Sequence, residues 1–209
     1  MADEAYTQLA PVYEWLLDDA IITPEGQVAA FAPLLDALPP GARVLDCAAG
    51  TGLLAVGLLL RGFDATASDL SAAMLVRARS LAAERGVALE TVQCAWDDLT
   101  AQGWEARFDA VFCVGNSLGH VRERVRSLRA IAATLNPGGQ LVLTSRNWER
   151  EGLEQPRVLE IEAAGVRERL TYWPFTYAEL KADLVAADLE VVHSTYSIDA
   201  ERYLVAARV

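Results

Sequence analysis

A run of small residues opened by an acid occupies residues 46–52, where the sequence reads Asp-Cys-Ala-Ala-Gly-Thr-Gly. The run joins an apolar segment that predicts a strand (43–47) to a second one that predicts a helix (52–61). Small residues such as Ala48, Gly50 and Gly52 let the backbone approach a ligand without a collision at the β-carbon. The turn therefore predicts a ligand site at the carboxyl end of the first strand.

The residues of this turn narrow the chemistry of the ligand. They contain neither the Gly-x-Gly-x-x-Gly spacing that receives a pyrophosphate nor the Gly-Lys-Ser/Thr sequence that receives a triphosphate. The turn opens instead with Asp46, whose carboxylate can hold a positively charged group directly or through water. S-adenosylmethionine carries an ammonium and a sulfonium but no phosphate, so the turn favours it as the cofactor.

An acid also follows the second predicted strand (65–68). Asp69 stands directly after this strand and can accept hydrogens from both ribose hydroxyls. The alternative is that Asp69 only caps the helix that begins near Ser71. Met74 lies one helical turn further, where it either packs on the adenine or belongs to the core.

A third loop follows the predicted strand over residues 89–95. Asp97 can accept the hydrogens of the adenine amino group there, with the backbone of Ala95 and Trp96 beside the ring. Core filling is the other interpretation of Trp96. The residues predicted to bind the cofactor are Asp46, Ala48, Gly50, Gly52, Asp69, Leu70, Met74, Ala95, Trp96, Asp97 and Val114.

Alternating strands and helices must position these loops. Strands are predicted over 43–47, 65–68, 89–95, 108–114 and 140–145, and helices over 52–61, 71–85, 122–135 and 176–187. Near-continuous apolar strands in this alternation predict a mainly parallel sheet with helices on both faces. The last strands, 190–197 and 202–209, are joined by a short turn and must form an antiparallel hairpin. The fold class is therefore α/β and Rossmann-like, with a seven-stranded sheet.

No repeat, low-complexity tract or Gly/Ser linker divides the chain, so residues 1–209 are predicted to form a single domain. Its parts are an N-terminal helical cap (1–40), a cofactor-binding core (41–147), a short substrate lid (148–175), and a closing helix and hairpin (176–209). Tyr6, Leu9 and Tyr13 recur at helical spacing in the cap. The lid has room for one compact hairpin, formed by residues 157–161 and 166–173.

The three loops and the closing hairpin resemble the class I S-adenosylmethionine-dependent methyltransferases over about residues 40–147 and through the hairpin. The stretch from Gly115 to His120 resembles the Gly-Asn-Ser-x-x-His stretch of glycine and sarcosine N-methyltransferases. Arg146, Asn147 and Trp148 stand where that family has Arg-Asn-Tyr. The resemblance implies an enzyme that methylates a small amine by in-line displacement on the sulfonium.

By position, the resemblance implies that Arg146 grips the acceptor carboxylate, that Asn116 orients the amine, and that His120 lies in the same pocket as a candidate base. Arginine also suits a carboxylate physically, because its planar fork can bind both oxygens. The alternatives are an internal salt bridge for Arg146, turn formation for Asn116, and helix capping or core filling for His120. The implied catalytic residues are thus His120 and Asn116.

Tyr13 and Trp148 complete the implied substrate site. In this family the N-terminal helix closes over the cofactor, so Tyr13 is expected near its methionine end, with core packing as the alternative. Two features depart from the glycine enzymes. Ala95 replaces the polar residue expected beside Trp96, and the lid is shorter, which leaves room for a different acceptor.

The overall charge is −11, from 18 basic and 29 acidic residues, and this balance argues against nucleic acid or anionic membranes as partners. Residues 122–129 carry the densest basic run, which is interpreted as a solvated helix face. The three cysteines, each in an apolar stretch, support neither a metal site nor a redox site and suit a cytoplasmic protein. No signal peptide is expected, and assembly into a homo-oligomer is left open.

Three functions remain at this stage. The first is an S-adenosylmethionine-dependent N-methyltransferase that acts on a small amino acid or related amine. The second is an O- or N-methyltransferase of another small metabolite, as the short lid suggests. The third is a protein that binds S-adenosylmethionine without catalysis.

Overall fold

The computed structural model describes residues 5–209, in which strands and helices alternate as expected. The strands are β1 (Arg43–Asp46), β2 (Asp64–Asp69), β3 (Glu90–Gln93), β4 (Phe108–Cys113), β5 (Leu135–Arg146), β6 (Arg157–Ala163), β7 (Val166–Tyr172), β8 (Glu190–Ser194) and β9 (Arg202–Arg208). The α-helices are α1 (Pro24–Ala30), α2 (Ala32–Leu35), α3 (Leu53–Leu60), α4 (Ala72–Glu84), α5 (Arg124–Ala132), α6 (Trp148–Glu151) and α7 (Tyr177–Ala186). Short 3-10 helices cover Ala10–Leu16, Trp96–Asp98, Thr100–Gln102 and Ser117–His120.

One sheet holds seven of these strands, in the order β3-β2-β1-β4-β5-β9-β8. The pairs β1–β2, β2–β3 and β4–β5 are parallel, whereas β9 is antiparallel to both β5 and β8. Strands β6 and β7 form a separate two-stranded sheet. The predicted fold class is therefore confirmed, including the C-terminal antiparallel hairpin, and β6 and β7 pair where the sequence predicts a compact hairpin.

Backbone contacts group the chain into two compact units. The first contains the residues up to Cys94 together with Glu160–Leu170, and the second contains Ala95–Leu159 and Thr171–Val209. The first unit buries Val44 and Leu45 of β1 against the apolar helix α3, in which Leu54 and Val56 are also buried. The second buries the aromatic residues of β4 and the apolar residues of β5 and β9: Phe108, Phe112, Leu141, Val142, Val205 and Ala206.

Helix starts follow the capping signals in the sequence. The Thr23 hydroxyl accepts a hydrogen bond from Gly26 N at 3.1 Å, ahead of Pro24 in the first turn of α1. Thr176 and Glu179 form a reciprocal capping box at the start of α7, with Glu179 N donating to Thr176 Oγ1 at 3.0 Å and Thr176 N donating to Glu179 Oε2 at 2.7 Å. Both helices therefore begin where their caps predict.

The predicted N-terminal helical cap contains α1 and α2, but its first segment, residues 6–17, is not an α-helix. The segment forms only the 3-10 helix Ala10–Leu16, with Pro11 in its first turn, and the chain becomes extended at Leu17. Proline lacks an N–H and is tolerated only at the start of a helix, so an α-helix through the preceding residues is blocked at Pro11. Tyr6 adopts a φ of 65°, which also lies outside helical geometry.

The basic run of residues 122–129 is not simply a solvated face. Arg124 Nε lies 2.6 Å from Asp183 Oδ2, and its side chain is only 13% exposed. Arg129 donates to the carbonyl of Ala186 through Nε and Nη2. These arginines bind α5 to α7, which supplies the carboxylate and the helix-end carbonyl that a guanidinium prefers.

Among residues 5–209, no helix combines the length and the apolar character needed to cross a membrane.

Candidate functional site

The glycine turn in the first unit is built from main-chain hydrogen bonds. Gly52 N donates to Ala49 O at 2.8 Å, and Ala49 N donates to Ser68 O of β2 at 3.0 Å. Gly50 and Gly52 have φ values of 53° and 84°, a region that favours glycine. The turn is therefore fixed at the carboxyl ends of β1 and β2, the edge where open α/β sheets bind ligands.

The two glycines of this turn have different surroundings. A methyl group at Gly52 would lie 2.6 Å from Ala78 Cβ, so the missing side chain lets α3 pack closely on α4. A methyl group at Gly50 would meet no atom within 4 Å. Gly50 therefore borders open space, whereas the requirement for glycine at position 52 comes from helix packing.

Asp69 ties the glycine turn to the end of β2. Its Oδ2 accepts Gly50 N and its Oδ1 accepts Ser71 N, each at 2.8 Å. Burial raises the pKa of this carboxyl group, and the hydrogen bonds from Ser71 and Gly50 oppose the shift. Because a carboxylate has more acceptor sites than these two, capping and ribose binding are compatible at Asp69. Ser71 is the N-cap of α4.

Asp46 is a buried acid at the start of the turn. Burial raises its pKa to about 7, hydrogen bonds from the backbone of Ala48 and Ala55 counter this, and the charge of Asp69 adds to it. Its Oδ1 is buried without a hydrogen-bond partner among residues 5–209. A buried carboxylate oxygen of this kind is costly unless a donor or a cation meets it.

The other cofactor candidates of the first unit differ in exposure. Met74 is only 2% exposed, which favours its interpretation as a core residue. Ala48 and Leu70 are half-buried, and the carbonyl of Leu70 accepts from Gln93 Nε2 at 3.0 Å. Tyr13 is half-buried, and its ring lies edge-on to that of Tyr6 with the centroids 5.6 Å apart.

The third predicted loop belongs to the second unit. Ala95, Trp96 and Val114 are half-buried. Asp97 Oδ2 lies 2.9 Å from Arg126 Nε, and Ser127 Oγ donates to Asp97 Oδ1 at 3.2 Å. Both oxygens of Asp97 thus contact α5, so an adenine amino group would share this carboxylate with the protein.

Asn116 is fixed at the end of β4. It is buried, adopts a φ of 68°, and its Oδ1 accepts Arg146 N at 3.0 Å and Ser145 Oγ at 3.4 Å. The backbone N–H of Arg146 can only donate, which assigns Oδ1 to this contact and fixes the orientation of the amide. The Nδ2 group of Asn116 can then only donate a hydrogen bond to any further partner.

His120 ends the 3-10 helix that follows Asn116. Its Nδ1 lies 3.0 Å from the carbonyl oxygen of Thr171, and its ring lies 4.3 Å from the ring of Tyr172 between centroids. A carbonyl oxygen only accepts, so Nδ1 carries the proton of the neutral ring and Nε2 carries the lone pair. Burial lowers the pKa of His120, while the bond to Thr171 opposes this shift. The neutral ring that a base requires is therefore favoured.

Arg146 forms the internal salt bridge that the sequence left as its alternative. Its Nη1 lies 3.1 Å from Oε2 and 3.4 Å from Oε1 of Glu151, at the end of α6. The two side chains are 29% and 31% exposed. Glu151 was not among the predicted site residues, since the five-residue separation gives no contact within a regular helix.

Trp148 is completely buried behind the Asn116–His120 segment. A methyl group at Gly119 would lie 3.2 Å from Trp148 Cζ2, 3.4 Å from Tyr172 Cδ1 and 3.5 Å from Asn116 Nδ2. The indole Nε1 of Trp148 is buried with no hydrogen-bond partner among residues 5–209. Gly119 is therefore the point where these three side chains meet, and a side chain there would separate them.

The predicted cofactor residues are divided between the two units, because Ala95, Trp96, Asp97 and Val114 lie in the second. The first brings together Asp46, Gly50, Gly52 and Asp69, and the second brings together Asn116, His120, Arg146 and Trp148. Sequence reasoning missed Glu151 and Tyr172. Tyr172 lies within the predicted lid hairpin, where its apolar neighbours marked it as a strand residue and nothing in the pattern marked it as a neighbour of His120.

Comparison with known proteins identifies the domain. Residues 44–139 match the family model described as a methyltransferase domain. A glycine/sarcosine N-methyltransferase of Halorhodospira halochloris is 41% identical over 110 residues, covering 51% of this chain and 41% of that protein. A ubiquinone biosynthesis O-methyltransferase of Xanthomonas axonopodis pv. citri is 38% identical over 109 residues, covering 52% of this chain and 45% of that protein. The chain thus spans less than half the length of these relatives.

The fold is also found in solved structures. The CcbJ methyltransferase from Streptomyces caelestis superimposes with a TM-score of 0.77 at 22% identity, covering 99% of each chain. Residues 44–139 are therefore a methyltransferase domain, and the chain has the fold of the S-adenosylmethionine-dependent methyltransferases. The predicted class and cofactor are confirmed.

The residues of the first unit fit this cofactor. Gly50 borders space that a β-carbon would fill, and Asp46 presents a buried oxygen without a partner among residues 5–209. A carboxylate in that position suits the positive groups of S-adenosylmethionine, and Asp69 retains acceptor capacity for hydroxyl groups.

Proposed function

We propose that the protein transfers a methyl group from S-adenosylmethionine to the nitrogen of a small amino acid or related amine. The observation that carries the proposal is the junction of Asn116 with Arg146, where Asn116 Oδ1 accepts Arg146 N at 3.0 Å. This bond fixes a neutral hydrogen-bond donor next to the residue that bears a guanidinium. An acceptor that carries a carboxylate has oxygens that can accept hydrogen bonds from both of these donors.

The similarity to glycine/sarcosine N-methyltransferases supports this choice of acceptor. The methyltransferase-domain match over residues 44–139 contains Asn116 and the Gly-Asn-Ser stretch that resembles those enzymes. The curated relatives are longer than this chain, and their acceptors are therefore carried over only as part of the proposal.

The bound cofactor supplies an electrophilic methyl group on a sulfonium, so the protein mainly has to position a neutral nucleophile and exclude water. Asp46, Gly50 and Asp69 would hold the cofactor. His120 would accept the proton of the acceptor at Nε2, because Nδ1 donates to the Thr171 carbonyl. Asn116 Nδ2 would donate to an oxygen of the acceptor, and Arg146 would bind its carboxylate.

The test is an assay of methyl transfer to glycine, sarcosine, carboxylate-free amines and hydroxyl acceptors, in which the formation of S-adenosylhomocysteine is measured. We expect amino-acid turnover by the natural protein. For Arg146→Ala we expect the KM of the amino acid to rise about a hundredfold, the cost of a lost charge-assisted pair, with the KM of S-adenosylmethionine unchanged. Arg146→Lys keeps the charge without the planar fork and should recover only part of this loss.

If Arg146→Ala left the turnover of carboxylate-bearing amines unchanged, this result would contradict the proposed acceptor. Binding of S-adenosylmethionine without turnover of any acceptor would favour the non-catalytic alternative.

A second candidate function is O- or N-methylation of a small metabolite that lacks a carboxylate. The pairing of Arg146 with Glu151 favours it, because the guanidinium already has an acidic partner. The hydroxyl acceptors and the carboxylate-free amines in the same panel separate the two candidates.

A further inference from the structure

The Arg146–Glu151 pair does not have the geometry of a strong arginine–carboxylate contact. A single nitrogen, Nη1, meets both carboxylate oxygens, at 3.1 Å and 3.4 Å. The favourable arrangement instead uses two nitrogens in two parallel hydrogen bonds. Both side chains are about one-third exposed, so another molecule can reach the pair.

We propose that Glu151 determines acceptor specificity by occupying Arg146 in place of an acceptor carboxylate. An acceptor binds Arg146 only by exchanging with Glu151. This inference rests on the proposed function and adds to it the residue that sets how tightly an acceptor carboxylate binds Arg146.

The backbones of both Arg146 and Glu151 are held in place by hydrogen bonds. The backbone of Arg146 is fixed by Asn116, and the neighbouring Asn147 N donates to Glu201 O at 2.8 Å. On the other side, Arg157 Nη1 donates to the carbonyl of Glu151, and Gly152 N donates to Trp148 O at 2.8 Å. Because both backbones are fixed, the carboxylate of Glu151 stays close to the guanidinium of Arg146. Glu151 therefore competes with an acceptor carboxylate at a high effective concentration.

The exchange favours acceptors of one chemical class. A carboxylate that engages the guanidinium through two nitrogens gains more than Glu151 does through one, so it can displace Glu151. A single hydrogen-bond acceptor such as a hydroxyl gains too little to do so. The apparent affinity of a carboxylate acceptor is lowered by the fraction of Arg146 that Glu151 retains.

The experiment compares Glu151→Gln with the natural protein. The binding probe is trimethylglycine, which bears a carboxylate and has no nitrogen lone pair to methylate, titrated calorimetrically into protein loaded with S-adenosylhomocysteine. We expect Glu151→Gln to bind trimethylglycine about three- to tenfold more tightly, the range for loss of a partly exposed ion pair. The KM of a carboxylate-free amine should not change. In the double variant Arg146→Ala with Glu151→Gln, the gain should disappear.

The matched control is Glu154→Gln, which removes the same charge three residues further along the chain. An equal gain in this control would assign the effect to net charge and overturn the proposal. Unchanged trimethylglycine affinity in Glu151→Gln, with the same thermal midpoint as the natural protein, would also overturn it. Weaker binding of a carboxylate-free amine would show that Glu151 itself binds the acceptor cation, which contradicts the proposed exchange.

The probe separates this inference from the proposed function. Trimethylglycine binding does not require methyl transfer, so a shifted affinity without turnover of any amine would retain the exchange and reject the proposed reaction. Turnover of amino acids with unchanged probe affinity would retain the reaction and reject the exchange.

Discussion

The cofactor region and the acceptor region of this protein are stabilised in different ways. In the cofactor region, the carboxylate of Asp69 captures main-chain N–H groups of Gly50 and Ser71 that lie within 19 residues of it. In the acceptor region, side chains are held by main-chain groups much further along the chain, 30 residues for Asn116 and 51 for His120. The contacts of the cofactor turn thus join segments that are closer in sequence than those joined in the acceptor site.

The two regions also differ in the direction in which burial shifts the pKa of their titratable groups. Burial raises the pKa of Asp46 and Asp69 in the first region and lowers the pKa of His120 in the second. Each shift favours the neutral form of the group. For a base the neutral form is the working form, whereas for an acid that binds a cation the working form is the charged one. The same physical cause therefore assists one region and opposes the other.

The largest expected effect breaks the acceptor region at His120. We expect His120→Ala to lower kcat about a hundred- to a thousandfold, the usual contribution of a positioned base, with the affinity for S-adenosylmethionine unchanged. Since burial lowers the pKa of His120, the acid limb of kcat in the natural protein should have its midpoint below 6.5 and should vanish in His120→Ala. Steady-state assays at saturating acceptor across pH measure both effects.

His120→Asn is the control for a structural role, because its amide can donate to the Thr171 carbonyl but offers no basic nitrogen. If His120→Asn restored turnover, His120 would be a positioning residue and not the base.

The two glycines of the cofactor turn should differ in their effect on stability. Gly52→Ala adds a methyl group 2.6 Å from Ala78 Cβ at a φ of 84°, and we expect the free energy of unfolding to fall by about 3 kcal/mol. Gly50→Ala meets no atom within 4 Å at a φ of 53°, so its cost should be about 1 kcal/mol. Denaturant unfolding measures both values.

Cofactor binding should rank the two glycine variants in the opposite order. The methyl group of Gly50→Ala projects into open space where a ligand is expected, so calorimetry should show the larger loss of S-adenosylmethionine affinity there. Equal destabilisation by the two variants would contradict the assignment of Gly52 to packing and Gly50 to binding.

The contrast between the regions also explains what the sequence could predict. The turn at residues 46–52 and the acid at Asp69 stand at ends of apolar strands, and the capping pair Thr176–Glu179 is a local pattern. Each of these depends on neighbours in sequence. The first segment of the cap has apolar spacing that predicts an α-helix, but it forms the 3-10 helix Ala10–Leu16. Pro11 is tolerated only in the first turn of a helix, so a helix cannot continue through the residues before it.

The partners in the acceptor region depend on where distant segments end. The contact of His120 with Thr171 joins a 3-10 helix to β7, and that of Arg146 with Glu151 requires the chain to leave β5 and enter α6 within a few residues. No periodicity encodes either contact. The sequence therefore identified Asn116, His120 and Arg146 as candidates but could not indicate that Glu151 would occupy Arg146.

The smallest expected effect is a pH dependence at Asp46, where burial favours the neutral carboxyl group although cofactor binding needs the charged one. The pKa of Asp46 in the folded protein is about 7, above its ordinary value of 3.8, so between these values the folded protein holds a proton that the unfolded chain releases. The destabilising effect of burying the ionised Asp46 therefore decreases as the pH falls from 8 through 7, and the free energy of unfolding rises.

Binding of a positively charged cofactor needs the ionised carboxylate, so the S-adenosylmethionine affinity should fall about tenfold per pH unit below 7. Calorimetric titrations at pH 6 and 8 measure this change. Asp46→Asn cannot ionise and should bind weakly at both values; a variant that kept the pH dependence of the natural protein would assign that dependence to another group.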